Sequence, residues 1–481
     1  MTSPAGRFTG VDEGLSAGAR AALGRAARDE VPPAALAAWV PPPDRDPIGL
    51  IESQAATRVP ELVPLRHARM AVSPFTYFRG AALPMAADLA STPGSGLTAQ
   101  LCGDAHLANF GFFASPERHL TFDVNDFDET APGPFEWDVK RLAASLEIGG
   151  RDDGFTTKDR GRIVRHAVRS YREAMREFAS LPILDVWYAH LDIDDLLPRF
   201  HALLDERRTP SVWASIVKAR AHDSLQAFEK LCHVRDGEPR IVREPPLIVP
   251  IEDFVTGSGR AELLAALEGI VESYMQTLQH DRRHLLGQYR FVDLARKVVG
   301  VGSVGTATWI ALLVDRADDS PLFLQVKEAQ PSVLERFTSA STFENHGERV
   351  VAGQRLIQAA SDIFLGWDRV AWDGIERDYY LRQLRDWKGS ADVAGMTVAG
   401  MELWGRMCGW TLARAHARTG DRLAIAAYLG KSDTFERAIA DFAAAYADQN
   451  ERDYGLMVAA IASGRLAAAT PAPAKRKRGP Q

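Results

Sequence analysis

Apolar positions recur at helical spacing along most of the chain and give way to β-branched runs in a few regions. Residues 1–70 are rich in Ala, Pro and Arg, with Pro41, Pro42 and Pro43 in a row. That pattern predicts a partly disordered extension with a few short helices strapped across a larger body. "SPFTYFRG" (73–80) reads as an ordered aromatic segment carrying Arg79. A strand is expected at about 97–102, a polar loop at 103–110, and a hairpin from "FGFFAS" to "LTFDVNDF". The helix expected at 136–149 carries Val139, Leu142, Ala143 and Leu146 on one face. Residues 155–290 read mostly as helices (157–181, 192–206, 210–231 and 258–287), with the Pro-rich "GEPRIVREPPLIVPI" crossing between the last two. From 291 the runs "FVDLARKVVGVG", "TATWIALLVD" and "LFLQVKEA" predict an antiparallel meander. A helix at 343–361, a strand at 378–384 and helices at 396–418 and 432–449 complete the pattern, without an internal repeat.

Composition narrows the class. A chain of 481 residues has room for two to four structural units. The pattern divides it into 71–290, a helical unit with polar loops; 291–390, the sheet; 391–465, closing helices; and 466–481, a disordered basic tail. Charged residues at 25% and hydrophobic residues at 46% are those of a soluble globular protein, and no apolar run is long enough to cross a bilayer. Cys102, Cys232 and Cys408 are scattered and odd in number, which points to a reducing cytoplasm without a disulfide framework. A net charge of -6 gives no global attraction to nucleic acid, and Lys475 to Arg478 read as a solubilising tail.

Chemistry enters through two clusters. Asp104 and Asn109 stand five residues apart in "GDAHLANFG", and Asp126 and Asp128 end an apolar strand. Asp104 can accept a hydroxyl proton or orient a nucleophile. Asn109, Asp126 and Asp128 are hard oxygen donors suited to magnesium. His106 lies between the acid and the amide, either bracing the loop or touching substrate. Asp138 is expected to accept N–H groups of that loop from the first turn of its helix. The second cluster is Gly300, Gly302, Ser303 and Gly305, a glycine loop leading into a strand, followed by Lys327 at the end of the next strand but one. A loop between antiparallel strands can cover phosphates with its N–H groups, and a lysine there can reach them. Glu335, Glu344 and Glu348 are the acids that can hold Lys327. "LARAHARTGD" repeats the Gly-Asp pattern, but the residue five beyond Asp421 is Ala426, so His416 and Asp421 read as helix-end structure.

The segments "CGDAHLANFG", "FDVNDFDE" and "FEWDVKRLAAS" are similar to the catalytic half of aminoglycoside phosphotransferase-like and protein-kinase-like folds. From about 45 to 455 the chain also resembles an uncharacterised bacterial family, domain of unknown function 2252. That resemblance rests on "PELVPLRHARMAVSPFTYFRGAA", "QLCGDAHLANFG", "GVGSVGT", "LQVKEA", "YYLRQLRDWKGS" and "LARAHARTGD". The kinase resemblance implies Asp104 as base, Asn109 and Asp126 as metal ligands, the glycines and Lys327 as phosphate contacts, and Arg382 to Leu384 as the adenine-side hinge. It implies ATP and Mg²⁺ as cofactors and a hydroxyl-bearing acceptor, small molecule or protein. The order departs from that pattern, because the acid loops precede the glycine loop and lysine. The expectation is therefore an α+β, bilobal, circularly permuted kinase-like fold, its antiparallel sheet inserted in a mainly helical lobe. The end of helix 396–418 must then lie beside strand 97–102. A nucleotide-binding module without transfer, an AMP-transferring enzyme and a metal-dependent phosphohydrolase are the alternatives.

Overall fold

The computed structural model describes residues 14–469, apart from 193–211, 215, 218–223, 236, 255–259, 299, 373, 385–386, 388 and 391. The chain opens with α1 (Ala17–Glu30), α2 (Pro47–Ala55), α3 (Val63–Met70), α4 (Pro74–Gly80) and α5 (Ala82–Leu89). Short helices need end-capping, and three of these have a side-chain cap. Ser16 caps α1, Asp46 and a following proline start α2, and Ser73 and Thr76 form a reciprocal capping box on α4. Arg45 fastens the segment to the rest, with Nε 2.6 Å from Asp88 and Nη2 2.5 Å from Asp453.

Strands β1 (Thr98–Leu101), β2 (Phe110–Ala114), β3 (Leu120–Val124) and β4 (Ala131–Pro134) then frame the acidic loops. Helices α6 (Phe135–Asp152), α7 (Thr157–Ser180) and α8 (Ile183–Tyr188) follow, then β5 (Leu191–Asp192). Beyond them come α9 (Ser224–Leu231), β6 (Cys232–Arg235), β7 (Glu238–Ile241) and β8 (Ile248–Pro250). The run then continues through α10 (Arg260–Met275), α11 (His280–Leu286), β9 (Tyr289–Lys297), β10 (Thr308–Asp315), β11 (Pro321–Ala329) and α12 (His346–Ile357). It closes with β12 (Gly366–Trp372), β13 (Ile375–Gln383), β14 (Gly389–Ser390), α13 (Val398–Thr419), α14 (Arg422–Leu429) and α15 (Thr434–Ala462).

The result is a mixed α+β protein with antiparallel sheets. Its six-stranded sheet has the order β12-β13-β11-β10-β9-β8. Alternation along the strands gives it two apolar faces. Val292, Ile310, Leu312 and Phe323 pack with Ala227, Ile241 and Ile248, while Leu313, Leu322, Leu324 and Leu381 pack with Tyr274, Leu278 and Leu286. The largest core lies in the helical part around Trp404, which is fully buried with Phe112 and Phe122 edge-on to it. There α7 and α13 approach so closely that a Cβ at Gly409 would overlap the Ala167 carbonyl. The end of α13 meets β1, as expected: the Gln100 N–H donates to Thr419 Oγ1 at 3.2 Å.

Several elements depart from the sequence reading. The Pro-rich crossing segment carries strands. It forms the β6–β7 hairpin, turning at Gly237 (φ +79°), and contributes β8 to the edge of the large sheet. Tertiary pairing overrides its prolines, since Ile241 and Ile248 gain a buried apolar face. The helix expected at 258–287 breaks after Met275 through successive i→i−3 turns at Gln276, Thr277 and Leu278, which fit Thr277 and Leu278 beneath Gly366. The helix expected to end at 449 continues to Ala462, because Met457 and Ala460 pack against Ile48, Ile51 and Tyr77. Asp192, where a helix was expected to begin, ends β5, and the rest of that helix, 193–206, and the basic run Lys475 to Arg478 lie outside the described residues. All three cysteines are free, and no described helix is long and apolar enough to cross a membrane.

Candidate functional site

The floor of the site is the loop leaving β1. Gly103 takes φ +82°, and a Cβ there would overlap the Glu129 carbonyl, so the turn excludes side chains. Asp138, 1% exposed in the first turn of α6, accepts the N–H of Cys102 at 2.8 Å and of Gly103 at 3.0 Å. His416 Nε2 stands 3.4 Å from the same carboxylate, with its Nδ1 2.9 Å from the Tyr171 hydroxyl. Farther along, the Leu107 N–H donates to Ser145 and Trp404 Nε1 donates to the Leu107 carbonyl. The loop is therefore pinned from below at both ends.

Those bonds fix Asp104. Arg141 Nε donates to its Oδ1 at 2.6 Å, and His106 Nε2 lies 3.7 Å from its Oδ2. Burial pushes His106 down to about 4, against the pull of Asp104, so the ring is neutral at pH 7. Asn109 Nδ2 donates to the Asp104 carbonyl at 2.8 Å, and the residue lines the cavity described below. Asp421, by contrast, caps α14 by accepting the N–H groups of Leu423 and Ala424 and pairs with Arg20.

Lys327 joins floor to sheet. Its Nζ is 2.6 Å from Asp128 Oδ2 and 3.4 Å from Asp126 Oδ1, across 199 and 201 residues of chain. The Tyr380 hydroxyl donates to Asp128 Oδ1 at 2.7 Å, and Ser303 Oγ of the glycine loop reaches Asp128 Oδ2 at 3.5 Å. Burial opposes the ammonium charge, but Asp126 and Asp128 outweigh it and raise the pKa of Lys327 above its ordinary value. None of Glu335, Glu344 or Glu348 supplies that partner. Glu335 instead accepts the N–H groups of Ser332 and Ser341. The α12 side chain that reaches inward is Arg349, donating to the carbonyls of Asp128 (2.7 Å), Gln330 (2.9 Å) and Thr130 (2.5 Å).

The roof is the loop between β9 and β10, with Gly300 at φ +69° and Gly305 at φ +97°. Its carbonyls are held by the N-terminal segment: Arg69 bonds Gly300, Arg58 bonds Val304 and the Val59 N–H bonds Gly305. Between roof and floor lies a cavity of about 750 Å³. Asp104, His106, Asn109, Asp126, Asp128, Gly300, Gly302 and Ser303 line it, whereas Gly305 and Lys327 sit behind its wall. Arg382 lines a separate cavity of about 300 Å³ and donates to the Asn125 carbonyl at 2.9 Å.

Sequence reasoning left Arg79 unplaced and did not single out Arg58, Arg66 or Glu129, all on the cavity wall. For the arginines the available signal was Arg58, Arg66, Arg69 and Arg79 within "RVPELVPLRHARMAVSPFTYFRG". Glu129 is pushed up to about 7 by burial, although the Val333 N–H and Arg349 draw it down. Among the described residues no three His, Cys, Asp or Glu side chains converge to hold a metal ion by themselves. Two carboxylates and an amide oxygen do suit Mg²⁺, which ordinarily arrives with phosphate and water as its remaining ligands.

A family described as "Uncharacterized protein conserved in bacteria (DUF2252)" matches residues 58–460. The chain belongs to this family. No curated protein and no solved structure matches it. The DUF2252 match spans floor, sheet and glycine loop, and begins at Arg58.

Proposed function

We propose that this DUF2252 protein is an ATP- and Mg²⁺-dependent phosphotransferase that acts on a hydroxyl-bearing, small-molecule acceptor. One observation carries the reading: Lys327, Asp126 and Asp128 meet within 2.6–3.4 Å beside a glycine loop, from segments about two hundred residues apart. Read from β9 to the end of α13 and then from β1 onward, the parts follow the kinase order of glycine loop, strand lysine, acid loop and metal aspartate. The contact between Gln100 and Thr419 at that junction supports a circular permutation.

In this reading Asp104 accepts or orients the proton of the acceptor hydroxyl. Arg141 aims that carboxylate. Asp126, Asp128 and the Asn109 oxygen would hold Mg²⁺, which would supply charge neutralisation at the phosphates. With a nucleotide bound, Lys327 would be the ammonium for the phosphate oxygens and the glycine loop would exclude water above them. His106, neutral and buried, keeps the loop dry beside Asp104. AMP transfer would use the same residues with the nucleotide reversed. A second reading, nucleotide binding without transfer, draws on one observation, the occupation of Asp104 by Arg141.

The test is thermal stability with ATP, with and without Mg²⁺, joined to a metabolite phosphorylation screen. Metal-dependent stabilisation lost in Asp126→Ala supports the reading. Phosphodiester hydrolysis untouched by Lys327→Ala would overturn it in favour of a metal-dependent phosphohydrolase.

A further inference from the structure

Three arginines of the N-terminal segment reach the cavity without the carboxylates that buried cations ordinarily require. Arg66 is 1% exposed. Its Nη2 donates to Gln54 (3.1 Å) and to the Gly80 carbonyl (2.9 Å), but Nε and Nη1 are buried without an acceptor among the described residues. Arg58 spends Nη1 on the Val304 carbonyl at 2.7 Å and leaves a buried Nε unbonded. Arg79 has no side-chain hydrogen bond or ion pair among the described residues, and its Nε is buried too. Burial draws all three below their ordinary pKa. Glu129, Asp128 and Glu328 counter it at Arg58, Asp104 and Asp126 counter it at Arg79, and at Arg66 the Arg58 charge adds to it while Tyr77 and Glu129 counter it.

Position separates this cluster from Lys327. The strap meets the glycine loop: a Cβ at Gly302 would stand 3.1 Å from the Arg79 carbonyl, and one at Gly305 would stand 3.0 Å from the Arg58 side chain. Lys327 is bonded behind the wall to the acid pair, whereas Arg79 shares the cavity with Asp104, the proposed base. The planar guanidinium fork matches an oxyanion, and several such charges call for a dianion, which a phosphate supplies and a carboxylate does not.

We propose that Arg58, Arg66 and Arg79 form a phosphate site for the acceptor, so that the substrate is a phosphorylated small molecule with a free hydroxyl. The acceptor assignment rests on the phosphotransfer reading; the oxyanion site itself does not.

The experiment is thermal shift on the full chain with inorganic phosphate, against chloride at matched ionic strength, with and without saturating ATP and Mg²⁺. Saturating phosphate is expected to raise the wild-type Tm by about 2–4 °C. Arg79→Gln and Arg58→Met are expected to lose most of that shift, Arg79→Gln keeping the nucleotide shift, and the two ligands should add in the wild type. Equal effects of phosphate and chloride, or a phosphate shift intact in both variants, would overturn the site. Mutually exclusive phosphate and nucleotide would overturn the acceptor assignment and give the arginines to the nucleotide. A phosphate shift without any nucleotide shift supports the site and overturns the phosphotransfer reading, so the two failures are distinct.

Discussion

The floor of the cleft and the arginine strap above it treat their charges in opposite ways. On the floor, Asp104, Asp128 and Asp138 each have donors of their own within the protein, and Asp123 is paired with Arg414 where both are 1% exposed. On the strap, Arg58, Arg66 and Arg79 keep buried nitrogens without acceptors among the described residues. Bonded groups such as Asp123 and Asp138, which the proposed chemistry does not use, build a scaffold, and their loss is felt as instability. Groups left unbonded await something from outside, and their loss is felt in binding.

The comparison can be broken at several points. The largest effect is expected from Asp104→Asn, which should lower phosphoryl transfer by about 10²- to 10⁴-fold while nucleotide binding survives, read by steady-state kinetics beside thermal shift. Undiminished turnover would remove Asp104 from the chemistry. Next comes Asp123→Ala, which strands Arg414 and should cost about 3–5 kcal/mol in chemical denaturation. A loss no greater than that of a surface substitution would mean that the floor is not a stability scaffold.

Lys140 falls between the two classes. It is fully buried, bonded to Thr92 at 3.0 Å, with burial pushing it down to about 8 against the pull of Glu136. Because its folded pKa lies below the ordinary 10.5, the unfolded chain binds more protons between those values. Stability should therefore rise as pH increases from about 8 to 10.5, and Lys140→Met should abolish that rise. At pH 7 the same substitution should stabilise by about 2 kcal/mol, the relief of a buried charge less one hydrogen bond. A stability profile unchanged by the substitution would contradict it. The smallest effect is expected from Arg79→Gln, whose free-protein stability should stay within about 0.5 kcal/mol of wild type. A loss of several kcal/mol would place Arg79 with the scaffold.

Legibility in the sequence followed the same divide. Asp138 was readable because an acid in a first helical turn has few places to send its oxygens, and the hydrogen bonds to Cys102 and Gly103 lie where that logic points. The meander was readable because strands buried on both faces leave long β-branched runs. The partner of Lys327 was not, since spacing ranks Glu335, Glu344 and Glu348 equally and only the folded register brings Asp126 and Asp128 to its ammonium. Arg58 and Arg66 were hidden for another reason. An Ala- and Pro-rich strap has little periodicity of its own, and the direction of its side chains is set by the body it crosses.

One contact ties these parts into a single mechanical unit. Arg349 grips the carbonyls of Asp128, Thr130 and Gln330 from α12, so one guanidinium couples a helix of the sheet region to the end of the acid strand. A ligand that draws the carboxylates toward itself must move that helix or break those bonds. Whatever repositions the helix is felt at the carboxylates in equal measure.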